Sequence, residues 1–154
     1  MKQRLGLAAW WALWPAYIVY FRLGERGRVL LVSGDEVLLV YSRFGNGRWN
    51  VPGGGLHRGE DPAVGAAREV REETGIVLEP QKFTPLGRQI YRGAGIMYRY
   101  HAFAMRISRD VQLTRQPREI ADIRWFKTTD LTPQVASKEV FDCIAAARTA
   151  GLLQ

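Results

Sequence analysis

The chain has 154 residues, enough for one globular domain with a buried core. Its composition, 47% hydrophobic and 24% charged, excludes intrinsic disorder, collagen-like repeats and coiled coil as the main state. The single cysteine, Cys143, excludes an intrachain disulfide and a cysteine-based zinc site. The formal net charge of +7 indicates attraction to polyanions such as phosphates, nucleic acid or anionic lipid.

The amino-terminal residues 5–21 form an apolar run without a charged side chain. Its length is at the lower limit for a membrane-spanning helix, about 17 residues, and its Trp and Tyr side chains suit a membrane interface. A cleaved signal peptide is disfavoured, because no small-residue cleavage site follows the run. Two interpretations stay open: a membrane anchor, or a helix that packs on the domain or on a second copy of the chain. We therefore divide the chain into an apolar segment of residues 1–25 and a domain of residues 26–154.

The rest of the chain alternates between short apolar stretches and turn residues, which predicts several strands. In chain order, strands are expected at residues 28–32, 36–41, 49–52, 83–91, 96–107 and 120–127, and residues 76–78 are expected to start a further extended stretch. The first two strands form one predicted hairpin, and the strands at residues 83–91 and 96–107 form another, because a short glycine-containing turn separates each pair. A terminal helix is expected from Thr132 to just before Gly151.

The boundaries of one further helix are well marked in the sequence. Asp61 is a suitable N-cap, and Pro62 is favoured at the first helical position. The helix is expected to end near Thr74, because Gly75 suits the left-handed conformation that closes a helix. Together with the strands, the two helices predict an α/β (α+β) fold built on a mixed sheet.

This first helix carries three glutamates, Glu69, Glu72 and Glu73, in its last two turns. Spacings of three and four residues bring carboxylates together on a helix, and the dipole disfavours negative charge at this end. A functional site is expected where local rules are violated in this way. A divalent cation would relieve both penalties, since Mg²⁺, Mn²⁺ and Ca²⁺ prefer such hard oxygen ligands. The alternative is a solvated acidic face whose charges pair with Arg68 and Arg71.

The segment before the helix adds a glycine turn and another acid. Glycines at residues 53–55 allow the backbone to approach a ligand closely. Gly54, Glu60 and the sequence Arg-Glu-Val-Arg-Glu-Glu-Thr-Gly-Ile at residues 68–76 together resemble the Nudix box, and every specified position matches. The resemblance extends over roughly residues 28–150 and implies a mixed β-sheet sandwiched between helices.

Resemblance to the Nudix family also implies an activity. It implies hydrolysis of a pyrophosphate bond in a nucleoside diphosphate linked to another group, with Mg²⁺ or else Mn²⁺ as cofactor. The implied metal ligands are Glu69, Glu72, Glu73 and the backbone of Gly54. Glu69 is the implied general base. Glu119, six residues before Trp125, matches a glutamate of many family members and is the alternative catalytic residue.

The remaining box positions are implied to be structural, and these are Glu60, Arg68 and Gly75. Arg68 is expected to anchor the loop by pairing with Glu60. Substrate-binding residues must come from outside the box, where aromatic rings can stack on a base and arginines can bind phosphate. The candidates are Arg43, Phe44, Trp49, Arg88, Tyr91 and Arg92.

The identity of the nucleotide stays open, because the sequence lacks the subfamily motifs of NADH, ADP-ribose and coenzyme A pyrophosphatases. A Nudix-fold sensor that binds a nucleotide without cleaving it is one alternative, disfavoured because all box carboxylates are present. A 5′-end RNA pyrophosphohydrolase is another, since the basic charge suits RNA. We expect a cytoplasmic protein with a small nucleotide-type substrate. Residues 5–21 leave a membrane surface or a second copy of the chain as further partners.

Overall fold

The computed structural model of the protein describes residues 24–93 and 96–154. The strands are β1 (Glu25–Ser33), β2 (Glu36–Ser42), β3 (Trp49–Asn50), β4 (Thr84–Gly93), β5 (Ile96–Arg106) and β6 (Ile120–Lys127). The helices are α1 (Pro62–Thr74) and α2 (Lys138–Thr149), with 3-10 turns at Pro80–Lys82 and Thr128–Asp130. The predictions for residues 5–21 and for the turn at residues 94–95 lie outside this range. In the part of the chain that the structure describes, no helix is long and apolar enough to cross a membrane.

The described strands form one mixed sheet, as the sequence predicts. Its order is β3-β2-β1-β5-β4, and β6 also pairs with β2. β1 pairs antiparallel with β2 and parallel with β5, whereas β4 and β5 form the predicted hairpin. Because β1 starts at Glu25, the sheet already includes the last residue that the sequence assigned to the amino-terminal segment.

Two apolar cores lie on opposite faces of this sheet, one under each helix. Leu30 and Val32 face the core beside α2, and Val29 and Leu31 face the core beside α1. This alternation is the period of two expected for a strand that is buried on both faces. The helix side chains that complete the two cores are Val140, Cys143, Ile144 and Ala147 from α2, and Ala66, Ala67 and Val70 from α1. The sheet is therefore sandwiched between helices.

Helix α1 has the boundaries that its caps predict. The Asp61 carboxylate accepts hydrogen bonds from the backbone N–H groups of Ala63 and Val64, at 2.9 and 3.1 Å. Gly75 has a φ of 76°, and its N–H donates to the carbonyl of Arg71 at 2.9 Å. Local sequence is sufficient here, because both caps lie within four residues of the groups they satisfy.

The expected start of the last helix at Thr132 is wrong, since α2 begins at Lys138. Residues 132–137 instead run beside β3. The N–H of Trp49 donates to the carbonyl of Val135, and the N–H of Ser137 donates to the carbonyl of Trp49, both at 2.9 Å. Hydrogen bonds to a distant strand thus satisfy backbone groups that a longer helix would have paired internally.

The extended stretch that the sequence predicts from residue 76 does not join the sheet, because no strand is formed at residues 76–78. Ile76 and Leu78 are buried in the core beside α1, while Val77 is exposed. The segment therefore has the alternating burial of a strand without a ladder partner. Alternation in the sequence reports which side chains are buried, and it does not supply a neighbouring strand.

The glycine turn lies alongside β1. Gly27 N–H donates to the carbonyl of Gly54 at 3.0 Å, and Leu56 N–H donates to the carbonyl of Glu25 at 2.9 Å. These bonds attach the glycine turn to β1, the strand on which α1 packs.

Candidate active site

Glu73, at the end of α1, lies against the glycine turn. The N–H of Gly53 donates to Oε2 of Glu73 at 2.8 Å. Gly53 has a φ of 131°, and a Cβ atom there would lie 2.1 Å from the carbonyl oxygen of Gly27. A side chain is therefore excluded both by backbone conformation and by the close approach of β1. The turn is held between β1 on one side and a carboxylate of α1 on the other.

Glu69 lies against the next residue of the turn. A Cβ atom on Gly54 would lie 2.2 Å from Oε2 of Glu69, so glycine is required for this carboxylate to rest on the backbone. The Gly54 carbonyl accepts the N–H of Gly27 at 3.0 Å. A carbonyl oxygen has two lone pairs, and it can therefore bind a second partner.

A third glutamate, Glu119, interacts electrostatically with Glu73. Burial raises the pKa of Glu73 to about 7, although Arg28 and the N–H of Gly53 act in the opposite direction. Negative charge on Glu69 and on Glu119 raises that pKa further. The structure thus brings Glu69, Glu73 and the loop residue Glu119 close enough for their charges to interact.

The loop that carries Glu119 is tied to the end of β2. The N–H of Arg43 donates to the carbonyl of Glu119 at 2.8 Å, and its Nε donates to the carbonyl of Pro117 at 2.9 Å. Arg43 was expected to bind substrate, and in the structure its guanidinium anchors the loop of a candidate catalytic residue.

Arg68 is the centre of a hydrogen-bond network in the box loop. The expected pair with Glu60 is present, with Nε to Oε1 and Nη2 to Oε2 both at 3.0 Å. Arg68 also donates to Oε1 of Glu69 at 2.8 Å and to the carbonyl of Gly55 at 3.0 Å. The Arg68 guanidinium and the N–H of His57 lower the pKa of Glu60 to about 2. One arginine thus joins the loop before α1 to a carboxylate on α1.

Glu72 is placed differently from its two neighbours. Its side chain is 52% exposed, and its Oε1 lies 3.4 Å from Nη1 of Arg68. Among residues 24–93 and 96–154, no group of three or more His, Cys, Asp or Glu side chains is arranged to hold a metal ion. The guanidinium of Arg68 instead contacts both Glu69 and Glu72.

The residues present nevertheless fit a divalent cation by their chemistry. Carboxylates and a backbone carbonyl are the hard oxygen donors that Mg²⁺ and Mn²⁺ prefer. The raised pKa of Glu73 shows that burial and the neighbouring acids leave its negative charge incompletely compensated. A cation would supply the missing positive charge at this turn.

We expect Glu60→Gln to lower the free energy of unfolding by about 1–3 kcal/mol at pH 7, because a charge-assisted pair is lost. The folded pKa of Glu60, about 2, lies below the ordinary value of 4.5. Its stabilisation is therefore present above pH 4.5 and lost as the pH falls towards 2. Urea unfolding of both proteins between pH 2 and 8 measures this, with the exposed Glu79→Gln as control. A difference that stays constant down to the lowest pH would contradict it.

The aromatic candidates for substrate binding pack into the core beside α2. The ring centroid of Trp49 lies 4.8 Å from that of Phe126, and Tyr91 stacks on Tyr98 with centroids 4.8 Å apart. Both candidates are partly buried against that core. Phe44 is different, because it is 79% exposed. Phe44 is thus the candidate ring with the largest face free for a base.

The basic candidates on β4 lie on the other face of the sheet. Side chains alternate along a strand, so Arg88 and Arg92 point away from the face that Tyr91 occupies. Arg88 pairs with Glu25, which also contacts His101 at 2.9 Å. The structure therefore does not gather the six predicted substrate-binding residues into one cluster.

Arg28 and Glu139 are two buried residues beneath the turn, and the sequence predicts no role for either. Arg28 is 8% exposed and Glu139 is 1% exposed. Nη1 of Arg28 donates to the carbonyl of Gly53, and its Nε lies 3.4 Å from Oε2 of Glu139. No local pattern could have revealed this pair, because one member lies near the start of the domain and the other near its end.

A family model described as the NUDIX domain matches residues 13–144, and the chain belongs to this family. The match begins inside the apolar amino-terminal run. The glycine turn and the glutamates of α1 described above are the residues of its characteristic box.

Two curated relatives illustrate the range within the family. The NAD-capped RNA hydrolase NudC of Stutzerimonas stutzeri (strain A1501) is 32% identical over 122 residues, which are 79% of this chain and 42% of the relative. A MutT-like protein of Streptomyces ambofaciens is 44% identical over 64 residues, 42% of either chain. The chain thus spans less than half the length of these two relatives.

Solved structures show the same fold. The NUDIX domain of Shewanella oneidensis NrtR, complexed with ADP ribose, superposes with a TM-score of 0.69 at 19% identity, over 82% of this chain and 86% of that one. A MutT NUDIX hydrolase from Burkholderia pseudomallei superposes with a TM-score of 0.68 at 21% identity, over 79% of this chain and 95% of that one. The mixed sheet between helices that the box implied is therefore confirmed.

Proposed function

We propose that the protein hydrolyses a pyrophosphate bond in a nucleoside diphosphate linked to another group. The observation that carries this proposal is that two carboxylates of α1 lie against the glycine turn: Glu73 accepts the N–H of Gly53 at 2.8 Å, and Glu69 rests on Gly54. Membership of the NUDIX family supports the same reaction. A pyrophosphate is a dense anion, and its hydrolysis requires both charge neutralisation and an activated water.

The residues proposed to hold Mg²⁺ or Mn²⁺ are Glu69, Glu72, Glu73 and the backbone of Gly54. When bound, such a cation neutralises phosphate oxygens and makes an attacking water more acidic. Glu69 then accepts a proton from the water as it attacks phosphorus and the bridging P–O bond breaks, and Glu119 is the alternative base. The turn supports the carboxylate of Glu69, and Arg43 anchors the backbone of Glu119.

Arg68 prepares the site without reacting. Its guanidinium holds Glu60 and the carbonyl of Gly55, which fixes the loop, and it orients Glu69 by a 2.8 Å contact. Fixed geometry of this kind reduces the reorganisation needed during the reaction.

A diphosphate-linked RNA 5′ end is a second candidate substrate. It is favoured by the 32% identity to an NAD-capped RNA hydrolase and by the net charge of +7. The exposed ring of Phe44 is available for stacking on a base. The chemistry at phosphorus is the same for a free nucleotide and for an RNA end.

The test is a substrate screen with the full chain in Mg²⁺ or Mn²⁺. ADP-ribose, NAD, dinucleoside polyphosphates and NAD-capped RNA are incubated separately, and the products are separated by anion-exchange chromatography. We expect hydrolysis of at least one compound at a rate about 100-fold above that of Glu73→Gln. Tight binding of a compound without cleavage would identify a sensor. Neither binding nor cleavage of any compound would overturn the proposal.

A further inference from the structure

A buried pair of opposite charges lies beneath the glycine turn. Nε of Arg28, on β1, is 3.4 Å from Oε2 of Glu139, on α2. The hydroxyl of Tyr98 donates to the other carboxylate oxygen of Glu139. Removing two charges from water is costly, and an apolar pair of similar volume often stabilises a fold as well or better. A gain in folding stability is therefore a weak explanation for the presence of this buried pair.

Arg28 connects the pair to the turn. Its Nη1 donates to the carbonyl of Gly53, whose N–H donates to Oε2 of Glu73 at 2.8 Å. The peptide units on both sides of Gly53 are thus fixed, one by the guanidinium and one by the carboxylate. A glycine has the widest choice of backbone conformations and needs such external anchors to keep one of them.

The same contacts connect the two faces of the sheet. Glu139 belongs to α2, whereas Glu73 belongs to α1 on the opposite face. The positive charge of Arg28 attracts Glu73 as well as Glu139. A continuous series of contacts therefore joins α2 to α1, and it passes through Glu139, Arg28, Gly53 and Glu73.

We propose that Arg28 and Glu139 are positioning residues for the carboxylate site: they hold the Gly53–Gly54 peptide so that the turn, Glu69 and Glu73 keep the geometry that a divalent cation needs. This inference rests on the proposed function, because the cation site is part of that function. Neither residue is a metal ligand, and both act through the turn.

The test separates positioning from folding with a double variant. Arg28→Met with Glu139→Gln removes both charges of the pair, retains an acceptor for Tyr98 and leaves neither member of the pair as an unpaired buried charge. Val140→Ala is the matched control, because it trims a fully buried neighbour of Glu139 on the same helix. Circular dichroism and thermal unfolding establish that each protein is folded.

Mn²⁺ affinity of the full chain is measured by electron paramagnetic resonance of the free ion, and kcat and KM are measured on the substrate found by the screen. We expect the double variant to weaken Mn²⁺ binding and to lower kcat, each about 10- to 100-fold. KM for the nucleotide is expected to stay near the wild-type value. The Val140→Ala control should lose thermal stability and retain its Mn²⁺ affinity.

Arg28→Lys provides a second test, should the double variant fail to fold. It retains the charge beside Glu139 but loses the planar fork that reaches the Gly53 carbonyl, and it should weaken Mn²⁺ binding in the same direction. A folded variant with wild-type Mn²⁺ affinity would overturn this inference alone. Wild-type protein that binds Mn²⁺ but cleaves no substrate would overturn only the proposed function.

Discussion

Glu73→Gln is expected to lower kcat by at least about 100-fold while the protein stays folded. The carboxylate is proposed to bind the cation, and an amide lacks the negative charge for that role. The amide oxygen can still accept the N–H of Gly53, which the carboxylate now accepts at 2.8 Å. Initial rates of hydrolysis in Mg²⁺ and in Mn²⁺ measure this loss of kcat, with the exposed Glu79→Gln as control.

The same variant should be at least as stable as the wild type when metal is chelated at pH 8. Burial raises the pKa of Glu73 to about 7, above its ordinary value of 4.5. The free energy of unfolding therefore falls as the pH rises from 4.5 to 7, because the unfolded chain releases the Glu73 proton at a lower pH than the folded protein does. Urea unfolding in EDTA measures this difference. Unchanged hydrolysis by Glu73→Gln would contradict its assignment as a ligand, and a large loss of stability would contradict this account of its burial.

Gly53→Ala is expected to lower the free energy of unfolding by about 3 kcal/mol or more. Its Cβ would lie 2.1 Å from the carbonyl oxygen of Gly27, and its φ of 131° is strained for any L side chain. The obstacle is backbone of a central strand and cannot move aside cheaply. Thermal and urea unfolding should both show the loss, and wild-type stability would contradict the geometry of the turn.

Gly54→Ala is the matched control for that result. Its Cβ would meet a side-chain atom, Oε2 of Glu69 at 2.2 Å, which a rotation of the glutamate can relieve. We expect a fold close to wild type but about a 100-fold lower kcat, because Glu69 is displaced. Wild-type activity in this variant would show that Glu69 has no need to rest on the turn.

Several elements could be predicted from sequence because their causes are local. Helix α1 is bounded by Asp61 and Gly75, and each cap acts on backbone groups within the next or preceding turn. Strand β6 has the predicted bounds of residues 120–127. The pair between Arg68 and Glu60 was predictable because it follows from a recognised box.

Other elements depended on partners far away in the chain. Thr132 resembles a helix start, yet Val135 and Ser137 form backbone hydrogen bonds with Trp49 of β3, and α2 begins only at Lys138. Residues 76–78 have strand-like alternation but no adjacent strand in the described structure. In both cases, the outcome depended on whether a remote segment lay alongside to form backbone hydrogen bonds.

The sequence by itself determined the family, the glutamates and the glycine turn of the candidate site, because spacing along one helix and one loop specifies them. Only the tertiary structure decided how they are used. It placed Glu73 against Gly53 and left Glu72 exposed beside Arg68. It also brought Arg28 and Glu139 together under the turn. The physical reason is that burial and charge pairing depend on which segments pack together, and packing across a sheet cannot be read from local spacing.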